Sequence, residues 1–318
     1  MTDLLRERLA RRQWAVTVEV VTPAVGDERA RARILALAAA LRDDDRVAAL
    51  TLTDRTTGAP TDDVVPLAAL VAAASLAVPL VHVAGKGRTP EDLDTLLRRL
   101  REAALTSVLV TGGDVRSEDV RPDAGSSDAP GVPAAPYDAV SMLGDAARIV
   151  PGFLLCGVLE PRPGRPLQES YDRAARKRTV AVRPGAAWPP LTLIAQVSWD
   201  LAARETIAGW QASLDVPLLG AVMWLTRQRL LFLREHRIGG IVVPPALRGR
   251  LNGESPEDAQ RRLALDLVAL RRLGYAGAHI SGLLTPSRIT TVLDEADRLD
   301  ASLGDDWRVV SQSERGAP

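Results

Sequence analysis

Ala15-Val16-Thr17-Val18-Glu19-Val20-Val21 is followed by an Ala/Leu/Arg stretch from Glu28 to Leu41 and then by Val47-Ala48-Ala49-Leu50-Thr51-Leu52-Thr53. This succession decides how the chain is read. A short β-branched run predicts a strand, and apolar residues at three- and four-residue spacing predict a helix. The same unit recurs along the chain. Further strands are predicted at Pro79 to Val83, Ser107 to Thr111, Phe153 to Leu159, Leu191 to Val197, Val216 to Met223 and Ala276 to Ser281. The helices between them are predicted at Asp62 to Ala74, from Thr89-Pro90-Glu91-Asp92 onward, Tyr137 to Val150, Leu167 to Val180, after Trp199-Asp200, Thr226 to His236, and Pro256 to Leu273 after a short turn at Pro244 to Leu251. A last helix is expected from Pro286 to Leu299. Eight βα units predict a closed (β/α)8 barrel, the TIM barrel, rather than an open doubly wound sheet. In that fold the working site lies at the C-terminal ends of the strands.

The whole chain, 1–318, reads as one such domain. Two segments break its rhythm. Residues 115–136 are rich in Asp, Ser, Gly, Pro and Ala and read as a mobile loop on the working face. The polar tail 309–318 reads as frayed.

Composition narrows the function. Hydrophobic residues are 46% of the chain and aromatics only 3%, so the core must be built from Ala, Val, Leu and Ile, as a sheet buried on both faces requires. Forty basic residues balance 40 acidic ones, which gives no general attraction to nucleic acid or anionic lipid. No apolar run is long enough to span a bilayer, and no apolar signal core follows Met1, so a cytoplasmic location is the default expectation. The single cysteine, Cys156, lies in an apolar run and reads as a buried structural thiol.

Polar residues in or just after strands are the candidates for chemistry. Glu19 interrupts an apolar strand, where an unpaired charge costs several kcal/mol. It is therefore either ion-paired or kept protonated by burial, the state of a general acid. Asp114 ends Thr111-Gly112-Gly113-Asp114, where the glycines allow close approach of backbone to a ligand, although such a sequence also makes simple turns. His82 lies between Val81 and Val83. A strand histidine of this kind is commonly a satisfied core residue, yet its place on a barrel also suits ligand contact. Gln196 could recognise a planar heterocycle or pair with backbone. Glu160 follows the fifth strand and could equally be a solvated loop acid. His279 in the eighth strand is a weaker candidate, and Thr51 and Thr53 end the second strand. No GxGxxG or Walker A fingerprint is present, no GxSxG elbow exists, and His82, His236 and His279 lack HExxH spacing, which points away from a zinc site.

Taken in order, Val18-Glu19-Val20-Val21-Thr22-Pro23, Thr111-Gly112-Gly113-Asp114 and Ala195-Gln196-Val197-Ser198-Trp199-Asp200 resemble the methylenetetrahydrofolate reductase family. Leu50 to Asp54, His82, Gly185-Ala186 and the stretch from Arg229 to Pro245 support the resemblance. It implies an oxidoreductase of one-carbon and methionine metabolism. Such an enzyme reduces 5,10-methylenetetrahydrofolate to 5-methyltetrahydrofolate with NADH or NADPH through FAD. Glu19 would match the general acid and Asp114 the catalytic carboxylate near flavin and folate. Gln196 would match the amide that holds the folate. Thr53, His82, Asp114 and Glu160 would match flavin-side positions, with Arg162, Lys177 or Arg178 standing in for the family's phosphate-binding lysine, which here falls on Ala181. The aromatic and histidine that the family carries after the fifth strand are replaced in Val158-Leu159-Glu160-Pro161-Arg162-Pro163. A flavin-free folate enzyme, acting by methyl transfer or direct reduction, and a non-catalytic folate-binding barrel are the alternatives. A homo-oligomer or a partner subunit is compatible with the family, but the sequence marks no interface.

Overall fold

The computed structural model describes residues 2–54, 61–85, 87–112, 137–161, 165–182, 191–235, 241–283 and 285–314. Eight parallel strands close on themselves in chain order: β1 Ala15–Val20, β2 Val47–Leu52, β3 Leu80–Ala84, β4 Ser107–Thr111, β5 Leu154–Leu159, β6 Thr192–Ala195, β7 Leu218–Met223 and β8 Gly277–Ser281. The barrel closes where β8 pairs with β1, setting Ala15 beside Gly277 and Thr17 beside His279. The expected (β/α)8 barrel is thus the observed architecture, with strand ends shifted by one or two residues.

The helices are α1 Leu4–Ala10, α2 Glu28–Ala40, α3 Val64–Ser75, α4 Pro90–Glu102, α5 Ala139–Ile149, α6 Leu167–Ala181, α7 Leu201–Leu214, α8 Arg227–Glu235, α9 Pro245–Arg250, α10 Pro256–Arg272, α11 Pro286–Leu303 and α12 Trp307–Glu314. Several starts are set by local chemistry. Thr89 and Asp92 form a reciprocal capping box on α4, as do Ser255 and Asp258 on α10, each with Pro at the start of the helix. Among the described residues no helix is long and apolar enough to cross a membrane.

Period-two alternation sorts the strand side chains. Val16, Val18 and Val20 of β1, Val81 and Val83 of β3, and Ala278 and Ile280 of β8 face outward into the layer between sheet and helices. The alternate residues, among them Ala15, Leu80, Leu109, Leu154, Cys156, Ile194, Leu219 and Ala221, fill the barrel interior. Cys156 is fully buried there, as expected, and burial pushes its thiol pKa up. The same alternation turns Thr17, Glu19, His82 and His279 inward.

Two terminal segments differ from expectation. The charged N-terminal stretch forms α1, whose Leu5 and Leu9 are buried against the interior cluster. Arg6 donates to the Gly152 carbonyl and Arg8 to the Trp14 carbonyl, both just before strands, so α1 plugs the N-terminal end of the barrel. Of the tail expected to fray, 309–314 are helical and 315–318 lie outside the described residues. Residues 309–314 belong to α12, where buried Trp307 and Ser311 and half-buried Val310 recur on one helical face. An internal ion pair, Arg204 with Asp266 at 2.7 Å, ties α7 to α10 in the helical layer.

Candidate functional site

At the C-terminal end of the barrel, the seam between β1 and β8 brings together two residues 260 positions apart. His279 Nε2 lies 3.4 Å from Glu19 Oε2. On its other side His279 Nδ1 lies 2.8 Å from the hydroxyl of fully buried Thr17. The neutral ring can donate from Nε2 to Glu19 while accepting from Thr17, and the protonated ring can donate to both. His279 is buried, whereas the Glu19 side chain keeps 26% of its exposure. Glu19 is therefore the floor of an open mouth, and His279 is its wall.

His82 on β3 completes the cluster. Its ring centroid is 6.3 Å from that of His279, and its Nε2 is buried without a hydrogen-bond partner among the described residues. One ligand atom from each of Glu19, His82 and His279 falls within 4.8 Å of the others. The lack of HExxH spacing thus gave no view of this gathering, which is made by three separate strands.

The charges of the site follow from this geometry. Burial pushes the Glu19 carboxyl up, but the hydrogen bond from His279 and the charges of His279, His82 and Arg229 outweigh it and hold Glu19 below the ordinary carboxylate value. Of the two states open to an acid in this strand, this environment favours the paired, ionised one. Burial pushes His82 down to about 4, against the opposing pull of Glu19 and Asp54.

A pH prediction follows from His82. Between its ordinary value of 6.5 and its folded value of about 4, the unfolded chain binds a proton that the folded chain refuses. Stability from the neutral ring is intact above pH 6.5 and is lost as pH falls through this window, by about 2 kcal/mol at pH 5. In urea unfolding of chelator-treated protein, His82→Gln should remove most of the stability difference between pH 7.5 and pH 5. An unchanged difference would refute the assignment.

The remaining candidates separate by position. Gln196 follows β6 at the same mouth, half-buried, with its Oε1 accepting from the Val197 N–H at 2.9 Å. Glu160 follows β5, where its backbone carbonyl accepts from the Ser170 hydroxyl. Asp114 and Arg162 lie outside the described residues. Thr53 is at the mouth, where its hydroxyl accepts from the Thr22 N–H and its carbonyl from the Thr22 hydroxyl, so it braces two strand ends. Arg178 does not reach the mouth at all. It sits in the last turn of α6 beside Asp215, which precedes β7, and so lies on the opposite face of the barrel. A helix that starts at the mouth runs back antiparallel to its strand, which carries its final turn away from the site.

Two features of the mouth were not read from sequence. Arg229 of α8 approaches β8, where a Cβ added to Gly282 would lie 2.9 Å from its guanidinium, and its charge reaches Glu19. Gly282 has φ +87°, so the turn after β8 favours glycine on two grounds. Asp54, just past β2, accepts from Arg88 at 2.5 Å and from the Ala84 N–H, which fixes the ends of β2 and β3 together.

The chain matches no protein-family model and no curated protein. Among solved structures it is similar to an uncharacterised protein from Clostridium thermocellum described as binding two copies of 5-methyl-5,6,7,8-tetrahydrofolic acid. The identity is 13% over 94% of this chain and 99% of that one, with a TM-score of 0.64. It is also similar to N-acetylneuraminate lyase from Mycoplasma synoviae, at 10% identity over 94% of this chain and 77% of that one, with a TM-score of 0.50. At these identities the likeness is one of fold.

Proposed function

We propose that the chain is a folate-dependent one-carbon enzyme that reduces a methylene group on tetrahydrofolate to methyl, taking hydride directly from NADH or NADPH. The observation that carries this reading is the Glu19–His279 pair at the barrel mouth, backed by Thr17. It is a proton device in the position where the family resemblance places the general acid. The folate bound by the Clostridium thermocellum protein supports the choice of substrate class, since a methyl folate is the product of this reaction.

The chemistry divides simply. Glu19 is ionised while the mouth is open. A pterin ring seated over it removes its remaining exposure, and desolvation, already the largest influence on this carboxyl, then favours the protonated form. Glu19 takes up one proton from solvent as the pterin seats and delivers it to the folate nitrogen, returning to the carboxylate that His279 holds. The bond from that nitrogen to the methylene carbon breaks and leaves an iminium. Hydride from the reduced nicotinamide adds to the iminium carbon and gives the methyl group and oxidised nicotinamide. The half-buried amide of Gln196 is suited to hold the pterin edge.

The resemblance also implies FAD; of the positions it names for the flavin, Asp114 and Arg162 lie outside the described residues, and Arg178, which faces away from the mouth, is not placed to hold one. No step is therefore routed through a flavin. The test is the visible spectrum of the purified protein together with the absorbance of reduced nicotinamide. A colourless protein that consumes NADH or NADPH only when methylenetetrahydrofolate is present, and forms 5-methyltetrahydrofolate, is expected. Turnover that appears only when FAD is added would return the enzyme to the flavin-dependent reading. Folate binding without turnover under any of these conditions would make it a binding barrel.

A further inference from the structure

We propose that Glu19, His82 and His279 form a site for one divalent transition-metal ion of the zinc or cobalt class, and that this ion and a folate ligand exclude each other. Metal binding stands apart from the functional reading above. Only the mutual exclusion rests on it.

The geometry is that of a three-ligand site. A tetrahedral ion with ligands at about 2.0–2.1 Å separates its ligand atoms by about 3.4 Å. Glu19 Oε2 and His279 Nε2 already stand 3.4 Å apart. All three ligand atoms lie within 4.8 Å of one another, so His82 needs a movement on the order of 1 Å to close the set. Two imidazoles and a carboxylate are a donor set for zinc, cobalt or iron rather than for magnesium or calcium, which take oxygen ligands.

Three observations outside the distances point the same way. His82 Nε2 is a buried polar atom without a hydrogen-bond partner among the described residues, and such an atom in a folded interior calls for a partner. His279 has its second nitrogen held by the Thr17 hydroxyl at 2.8 Å. Outer hydrogen bonds of this kind fix the tautomer and aim of metal-ligating histidines. Finally, three protein ligands at an open mouth leave a fourth position for water or an exchangeable group. The surrounding charges partly cancel: Asp54 acts on His82 and favours a cation, while Arg229 acts on Glu19 and opposes it.

The consequence for folate is steric and electrostatic. An ion on Glu19 removes the carboxylate from proton delivery and fills the floor against which the pterin would lie. Zinc is then an inhibitor that competes with folate.

The experiment titrates Co2+ into chelator-treated full-length protein and follows the visible absorption that tetrahedral or five-coordinate cobalt shows. One saturable equivalent at micromolar concentration is expected, bleached by one equivalent of Zn2+. His82→Gln and His279→Gln should each weaken binding at least tenfold, and Thr17→Val about tenfold, with circular dichroism confirming that each variant folds. Absence of a saturable band would overturn the site. Binding unchanged in both histidine variants would also overturn it, because the ion would then sit elsewhere, for instance at the acidic turn Asp43-Asp44-Asp45. Calorimetry with 5-methyltetrahydrofolate, with and without Zn2+, separates this proposal from the function. Folate binding without cobalt binding sinks the metal site alone. Cobalt binding without folate binding sinks the folate reading and leaves the metal site standing. Simultaneous binding of both without loss of affinity refutes the exclusion.

Discussion

Glu19→Gln should lower turnover by about 10²- to 10⁴-fold while 5-methyltetrahydrofolate still binds within a few-fold of the parent affinity. The amide keeps the size and much of the hydrogen bonding of the carboxyl but cannot release a proton. Its neighbour His279 remains against Thr17, so the mouth keeps its shape. A group that acts on the substrate only as the nitrogen is protonated contributes to the transition state and little to ground-state binding, and its loss falls on kcat rather than KM. His279→Gln gives a different signature. The hydrogen bond from His279 is the largest influence holding the Glu19 carboxyl down, so without it that carboxyl titrates at higher pH. The proton-dependent limb of the kcat profile should move upward in pH, with kcat reduced less than in Glu19→Gln. Single-turnover rates across pH, paired with calorimetric folate binding, separate the two effects. Turnover of Glu19→Gln within threefold of the parent would remove Glu19 from the chemistry and with it the reading of the site.

The sequence carried the barrel more fully than the site. Alternation in β1 and β3 is written plainly in Val16-Thr17-Val18-Glu19-Val20 and in Val81-His82-Val83, and it alone turns Glu19 and His82 to the interior face. What alternation cannot express is which strands are neighbours across the closure. His279 looked weak because its partners stand 260 and 262 positions earlier, and only the β8–β1 seam brings them together. Arg178 was misassigned for a related reason. Its charge was legible, but its level in the barrel depends on where α6 ends. The covering helix α1 was missed because three charges in seven residues obscure its short apolar face, and only the open N-terminal end of a barrel gives Leu5 and Leu9 something to plug.

Gly277→Ala tests the seam itself and should cost about 4 kcal/mol or more, a loss reserved for changes the fold cannot absorb. A Cβ on Gly277 would lie 1.9 Å from the carbonyl oxygen of Ala15 and 2.8 Å from its carbonyl carbon. Both are backbone atoms of the strand that closes the barrel, so no rotamer change relieves the contact. Gly220→Ala is the control. There the new methyl would meet Leu270 side-chain atoms, the nearest at 2.3 Å, and a leucine can turn aside at a cost of about 1–3 kcal/mol. Urea unfolding of the two variants at neutral pH measures the difference. If Gly277→Ala unfolds within about 1 kcal/mol of the parent, the seam is looser than its register implies. The result bears on function because Gly277 precedes His279 by two residues on the same inward face, as Ala15 precedes Thr17 in the partner strand. Any fraction of Gly277→Ala that folds must do so by parting or sliding β8 against β1. That motion carries His279 away from both Thr17 and Glu19. A folded Gly277→Ala protein should therefore show the upward-shifted pH profile of His279→Gln without any change to a residue that touches the ligand.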